Sequence, residues 1–223
     1  MHIDIITCAP EPLTHLFNYG IIRRALEKGV ATLGIHNLRH YGVGKHNKID
    51  DTPYGGEPGM VLRLEPIVAC MEELQETRTY DALLYLAPEG RLWTQSLANG
   101  FSLYHNLLLL CGHYKGIDER ICQLFPFQKI SIGPYVLPGG ELPAAILAQS
   151  MIRLLPGAIS DGTSALQDTF QDGLVAPPVF TRPPTFRGLE VPGVLLSGHK
   201  AKIEAWKSEQ SEKRTLERMD TGA

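Results

Sequence analysis

The sequence has no apolar run near the ~20 residues that cross a bilayer, so no membrane span is expected. Its four cysteines, Cys8, Cys70, Cys111 and Cys122, lack the close spacing of zinc ligands or of a disulfide framework. They are expected as reduced side chains of a cytoplasmic protein, with no metal ligand set among them. The amino terminus has no basic stretch ahead of an apolar one, and a secretory signal is not expected. No GxGxxG follows a strand, and there is no Walker lysine loop or GxSxG elbow. These absences exclude the dinucleotide, P-loop and α/β-hydrolase routes to a ligand. Neither sign of charge dominates: 21 Lys and Arg stand against 24 Asp and Glu, for a net charge of −3. Any contact with nucleic acid must therefore come from local basic patches. There is no internal repeat and no low-complexity segment.

What remains is a regular alternation of short apolar strands and amphipathic helices. Residues 2–7 read as a strand, and Pro10 and Pro12 open a helix that carries apolar residues at helical spacing to Gly29. Thr32–Leu38 reads as a second strand, and Glu65–Thr77 as a helix. Asp81–Leu86 and Asn106–Cys111 are near-continuous apolar runs, as in strands covered on both faces of a parallel sheet. Ala87–Gly90 reads as a turn into a helix near Ser96–Tyr104, and Ile117 as the start of another. Lys129–Ile132 reads as a strand. Glu141 and Pro143 then suit the first turn of a helix that ends at Arg153, before Pro156 and Gly157. The pattern predicts an α/β domain with a mostly parallel sheet.

In such sheets ligands sit outside the carboxyl ends of strands. Three candidate strands end in small-residue loops, at Leu86-Ala87-Pro88, Cys111-Gly112-His113 and Ile132-Gly133-Pro134. The stretch from Gly133 to Gly140 exposes main-chain groups beneath few bulky side chains, which suits a base and an uncharged sugar. The segment Arg39–Met60 is long for a loop. It carries Lys45 and Lys48 in a basic half and Pro53-Tyr54-Gly55-Gly56-Glu57-Pro58-Gly59 in the other, and it is a candidate for contact with phosphate. After Gly157 the chain turns polar and proline-rich. From Gly198 it reads as one amphipathic helix with many lysines and arginines. The expected division is a domain over 1–157, a linker over 158–175 and a short C-terminal region over 176–223.

These motifs, in order along nearly the whole chain, resemble the bacterial tRNA (guanine-N1)-methyltransferases, the TrmD family of the SPOUT class. The resemblance rests on Pro53-Tyr54-Gly55-Gly56, Cys111-Gly112, Gly116-Ile117-Asp118-Glu119-Arg120, Ser131-Ile132-Gly133, Tyr135-Val136-Leu137, Gly139-Gly140-Glu141-Leu142-Pro143 and Leu195-Leu196-Ser197-Gly198. It implies a C-terminal trefoil knot in the first domain, whose loops hold S-adenosylmethionine. The implied cofactor residues are Tyr85, Leu86, Ala87, Pro88, Gly112, Tyr114, Ile132, Gly133, Pro134, Tyr135, Val136, Leu137, Gly139 and Gly140. It implies a homodimer with each active site between subunits, and tRNA as substrate, methylated at guanine 37 beside the anticodon. By the same resemblance Asp168 is the general base and Arg153 holds the guanine and stabilises its O6. Substrate contacts are expected from Pro53, Tyr54, Gly55, Gly56, Pro58, Gly59, Lys45, Lys48 and Lys200. The competing expectation is a non-catalytic RNA-binding SPOUT homologue. Relative to the family pattern, Glu57 stands for a glycine, His113 for an arginine, Lys115 for a glutamate and Pro134 for an aspartate. The tRNA-gripping C-terminal region is also expected to be short.

Overall fold

The computed structural model describes residues 1–159 and 168–220. The chain divides into two compact units, Met1–Gly162 and Thr163–Ala223. Part of the expected 158–175 linker lies outside the described residues. The strands of the first unit are β1 (His2–Thr7), β2 (Thr32–Asn37), β3 (Asp50–Asp51), β4 (Val61–Leu62), β5 (Ala82–Leu92), β6 (Asn106–Cys111) and β7 (Phe127–Ser131). β3 and β4 form a short antiparallel pair, and the other five form one sheet in the order β2-β1-β6-β5-β7. Every neighbouring pair in that sheet is parallel.

Because strand side chains alternate between faces, the apolar runs supply two cores at once. Ile3, Ile5, Leu84, Leu107 and Leu109 face one side. There they meet α1 (Pro10–Phe17), α2 (Gly20–Glu27), α4 (Gln95–Phe101) and α6 (Glu141–Ile152). Ile6, Leu83, Leu108 and Leu110 face the other side, against α3 (Leu64–Thr77) and α5 (Ile121–Leu124). Each fully buried leucine or isoleucine contributes about 1.5–3 kcal/mol. That is why the central strands β1 and β6 are so apolar.

Several elements differ from the sequence expectation. The single helix expected over 10–28 is two helices, interrupted at Asn18-Tyr19, because Gly20 takes a φ of +62°. The turn expected at Ala87–Gly90 lies inside β5. Leu86 and Arg91 both stand opposite Ile130, so the residues between them bulge out of the ladder before the strand resumes. Gly90 makes that return possible: a Cβ there would lie 2.4 Å from the Ile130 nitrogen. The helix expected from Ile117 starts at Ile121. Ile117 is instead bridged to Leu62, with Leu62 N–H donating to the Gly116 carbonyl and Asp118 N–H to the Leu62 carbonyl, both at 3.0 Å.

The second unit contains a hairpin of β8 (Thr185–Phe186) and β9 (Leu189–Glu190), a turn of helix α7 (Gly193–Leu196) and α8 (Lys200–Asp220). The proline-rich stretch 176–192 thus holds structure of its own. Arg187 and Gly188 both have positive φ, as a two-residue hairpin turn requires. The Phe180 ring lies 6.4 Å from Trp206 of α8. Residues 168–176 are tied to α8. The Val175 N–H donates to Thr215 Oγ1 at 2.9 Å, Arg214 Nη1 donates to the Ala176 carbonyl at 2.7 Å, and the Arg218 guanidinium sits 4.3 Å from the Phe170 ring centroid. Among the described residues no helix is long and apolar enough to cross a membrane.

Candidate functional site

At the bulge of β5 and the carboxyl ends of β6 and β7 lies a cavity of about 330 Å³. That falls within the range of small-molecule sites. Its walls come from the three loops singled out in the sequence. Tyr85, Leu86, Ala87 and Pro88 line it from the β5 bulge, Gly112 and Tyr114 from the loop after β6, and Ile132, Gly133, Tyr135, Val136, Leu137, Gly139 and Gly140 from the stretch after β7. Pro134 is not among the lining residues and is exposed.

Steric necessity explains the glycines. A Cβ on Gly140 would lie 2.7 Å from the Cys111 Cα, a backbone atom that cannot move aside. Gly140 N–H donates to the Gly112 carbonyl at 2.8 Å, and Gly139 is bridged to His113. The chain between β7 and α6 therefore passes directly against the end of β6. Gly133, at φ +157°, leaves room for the Tyr135 ring, which a Cβ would approach to 2.3 Å. The result is a wall of bare main chain with apolar side chains beside it.

The turn over Gly133-Pro134-Tyr135 closes by Tyr135 N–H donating to the Gly133 carbonyl at 2.9 Å. It uses no N–H from position 134, so proline fits there without loss. Tyr114 holds a φ of +58° at the cavity wall, a conformation that costs a non-glycine residue about 1–2 kcal/mol. Tyr85 is 5% exposed, and a Cβ on either Gly112 or Gly116 would come within 3.2 Å of its ring or hydroxyl. Burial, aided by Glu89, pushes its phenol up to about 12, so it stays a neutral hydroxyl. Glu89 and Glu119 also line the cavity, and both are paired with Lys129, at 3.3 and 2.9 Å.

Sequence reasoning missed Glu89, His113, Lys115 and Glu119 as lining residues. His113 and Lys115 lie inside a loop it had singled out. Glu89 was hidden in an apparent turn, and Glu119 in an apparent helix.

The loop between β3 and β4 carries Pro53, Tyr54, Gly55, Gly56, Pro58 and Gly59. Tyr54 is fully exposed, and Gly55, Gly56 and Gly59 all have positive φ. This loop docks on the cavity rim: Lys115 N–H donates to the Met60 carbonyl at 3.0 Å, and the Lys115 stem packs against Gly59. Lys115 Nζ forms an ion pair with Glu57. Two of the four departures from the family pattern thus compensate each other. Lys45 and Lys48 line a separate open depression with His46 and Arg63. Arg153 caps the end of α6, its N–H donating to the Gln149 carbonyl at 3.2 Å. Asp168 and Lys200 belong to the second unit. Asp168 is half-buried in a bend whose carbonyl accepts from Gln171 N–H, and Lys200 is the first residue of α8.

A family model described as tRNA (Guanine-1)-methyltransferase TrmD matches residues 1–221 of this chain. Curated relatives named tRNA (guanine-N(1)-)-methyltransferase match over nearly their full length. The protein of Cytophaga hutchinsonii is 52% identical over 218 residues, covering 98% of this chain and 93% of the relative. That of Bacteroides thetaiotaomicron is 50% identical over 215 residues, covering 96% of each. That of Christiangramia forsetii is 49% identical over 215 residues, covering 96% of this chain and 95% of the relative.

Proposed function

The chain belongs to the tRNA (guanine-1)-methyltransferase family, and from that premise we propose that it methylates N1 of guanine 37 in tRNA with S-adenosylmethionine as donor. It is a tRNA (guanine-N1)-methyltransferase; the nucleotide position, the donor and the residue roles are our reading. The observation that carries the donor assignment is the cavity at the strand ends. Its bare glycine walls and its apolar Leu86, Ile132 and Leu137 fit an adenine base and an uncharged ribose held by main-chain groups. The close pass of Gly139-Gly140 against Cys111-Gly112 supports a knotted segment here.

When bound, S-adenosylmethionine supplies an electrophilic methyl group on a sulfonium that leaves as a neutral thioether. Guanine N1 carries a proton and is a poor nucleophile. Asp168 accepts that proton as the new N–C bond forms, contributing ~10²–10⁴-fold. Arg153 donates to O6, where negative charge develops once the proton is lost. Lys45, Lys48 and Lys200 contact phosphate, and Tyr54 with its neighbouring glycines contacts the substrate from the β3–β4 loop.

We assign the first unit the cofactor-binding and methyl-transfer role, and the second the base and part of the tRNA grip. The functional form is a homodimer in the cytoplasm. Support for the dimer comes from Val136, in the loop before α6, and from Leu142 and Ile146 on α6, apolar side chains that are 83%, 51% and 46% exposed. The deciding experiment follows methyl transfer from labelled S-adenosylmethionine to a tRNA carrying guanine 37, with an adenine-37 tRNA and Asp168→Ala as controls. Incorporation into the guanine tRNA alone, reduced ~10²–10⁴-fold by Asp168→Ala with cofactor affinity unchanged, is expected. tRNA binding without any transfer would instead favour a non-catalytic RNA-binding homologue.

A further inference from the structure

Cys8, just past β1, His113, in the loop after β6, and Glu141, the first residue of α6, meet at one point of the first unit. A thiol sulfur, a ring nitrogen and a carboxylate oxygen from these residues all lie within 4.8 Å of one another. Cys8 and Glu141 are only 6% and 7% exposed. His113 Nδ1 is buried and has no hydrogen-bond partner among the described residues. A Cβ built on Gly139 would fall 2.2 Å from Glu141 Oε2 and 2.7 Å from His113 Nδ1. Both atoms therefore border one small space that stays open because residue 139 has no side chain. The other carboxylate oxygen is already engaged. Thr7 Oγ1 accepts from the Ala9 N–H at 2.9 Å and donates to Glu141 Oε1 at 2.5 Å. This hydroxyl orients the carboxylate from behind and leaves Oε2 available, as outer hydrogen bonds do for metal-binding carboxylates.

We propose that Cys8 Sγ, His113 Nδ1 and Glu141 Oε2 bind a divalent cation of the zinc class. A sulfur, a nitrogen and an oxygen donor suit a borderline-soft ion, whereas magnesium and calcium take oxygen ligands. Bond lengths of ~2.0–2.3 Å place the ligand atoms of a tetrahedral ion about 3.3–3.8 Å apart, so side-chain rotations of roughly an ångström close the set. Binding releases the thiol proton to solvent. His113 and Gly139 line the cavity, which supplies the entry path and a water for the fourth position. The bound ion pins the loop after β6 to the start of α6 and the end of β1, and so braces one wall of the cavity. Positions 8, 113 and 141 are far apart in sequence, so no spacing motif announces them. The proposal does not depend on the methyl-transfer reading.

The test uses the full chain, stripped with chelator and reloaded with zinc, cobalt or magnesium. One equivalent of zinc retained per chain through dialysis, a near-ultraviolet thiolate-to-cobalt absorption, and a rise of several degrees in Tm with zinc but not magnesium are expected. Cys8→Val should lose the absorption and the Tm response while the stripped protein still melts cooperatively. If Cys8→Val does not fold, Glu141→Gln is compared in the same assays and should lose the zinc retention and the Tm response. Substoichiometric retention by the unaltered chain, an equal response to magnesium, or responses unchanged in the variants would overturn the proposal.

Discussion

Asp4 shows what a single side chain contributes, and why its role is hard to read in advance. It interrupts an apolar strand, its side chain is 2% exposed, and it accepts hydrogen bonds from His36 Nε2 and the Tyr80 hydroxyl at 2.6 Å and from Arg78 Nη1 at 2.9 Å. Burial alone would raise its pKa; the hydrogen bonds from His36 and Tyr80 and the nearby charge of His2 outweigh it, holding the carboxyl well below its ordinary value of 3.8. A folded-state pKa below the unfolded value means the contribution is complete above pH ~4 and is lost as pH falls further. Asp4→Asn presents an N–H to groups that donate, and it should cost about 3 kcal/mol in urea unfolding at pH 7 and flatten the acid limb of the stability curve. Little of this network was legible, because three of its four partners lie at 36, 78 and 80 and only His2 is close in the chain. The cavity residues were more legible, since their glycines and prolines cluster within single loops. Gly140→Ala tests that steric reading: with a Cβ 2.7 Å from the Cys111 Cα, calorimetry should show cofactor affinity lost and Tm lowered.

Among elements, legibility followed burial. β1, β6, α3 and α6 were read nearly to the residue, because uniform apolar runs and first-turn glutamates leave few alternatives. β5 was read only to Leu86. Pro88 and Gly90 are turn residues by local preference, and only pairing with β7 makes the chain resume as a strand. α6 was read correctly, but not the half-exposure of its Leu142 and Ile146. Leu142→Glu combined with Ile146→Glu should convert a dimer to monomer in analytical ultracentrifugation while leaving far-ultraviolet circular dichroism unchanged. A monomer in the unaltered protein would remove the dimer from the proposal.

For the whole molecule, the excess of acidic residues means that tRNA affinity must come from where the positive charge lies. Lys45, His46, Lys48 and Arg63 gather around one depression, and α8 carries a further run of lysines and arginines. Neutralising a handful of phosphates predicts a loss on the order of tenfold to a hundredfold in affinity between ~50 and ~200 mM salt. Lys45→Ala with Lys48→Ala should lower the slope of log K against log salt by about 2. A salt-independent affinity would contradict this picture. Net charge and composition gave no hint of nucleic acid as a partner; the ordered motifs did.

The walls of the cavity are drawn from positions 85 to 143, on strands β5, β6 and β7, which follow one another in the chain but stand in the sheet as β6-β5-β7, with Gly140 seated against the end of β6. The pocket therefore does not exist in any partly folded chain that lacks the last strand and the helix behind it. Contacts this distant along the chain form late, because loop-closure entropy must be overcome before they stabilise anything. In a refolding experiment helical ellipticity should return first and ligand binding last. Binding competence would then mark the moment at which the final segment seats, and a newly made chain would acquire it only after residues beyond α6 had left the ribosome.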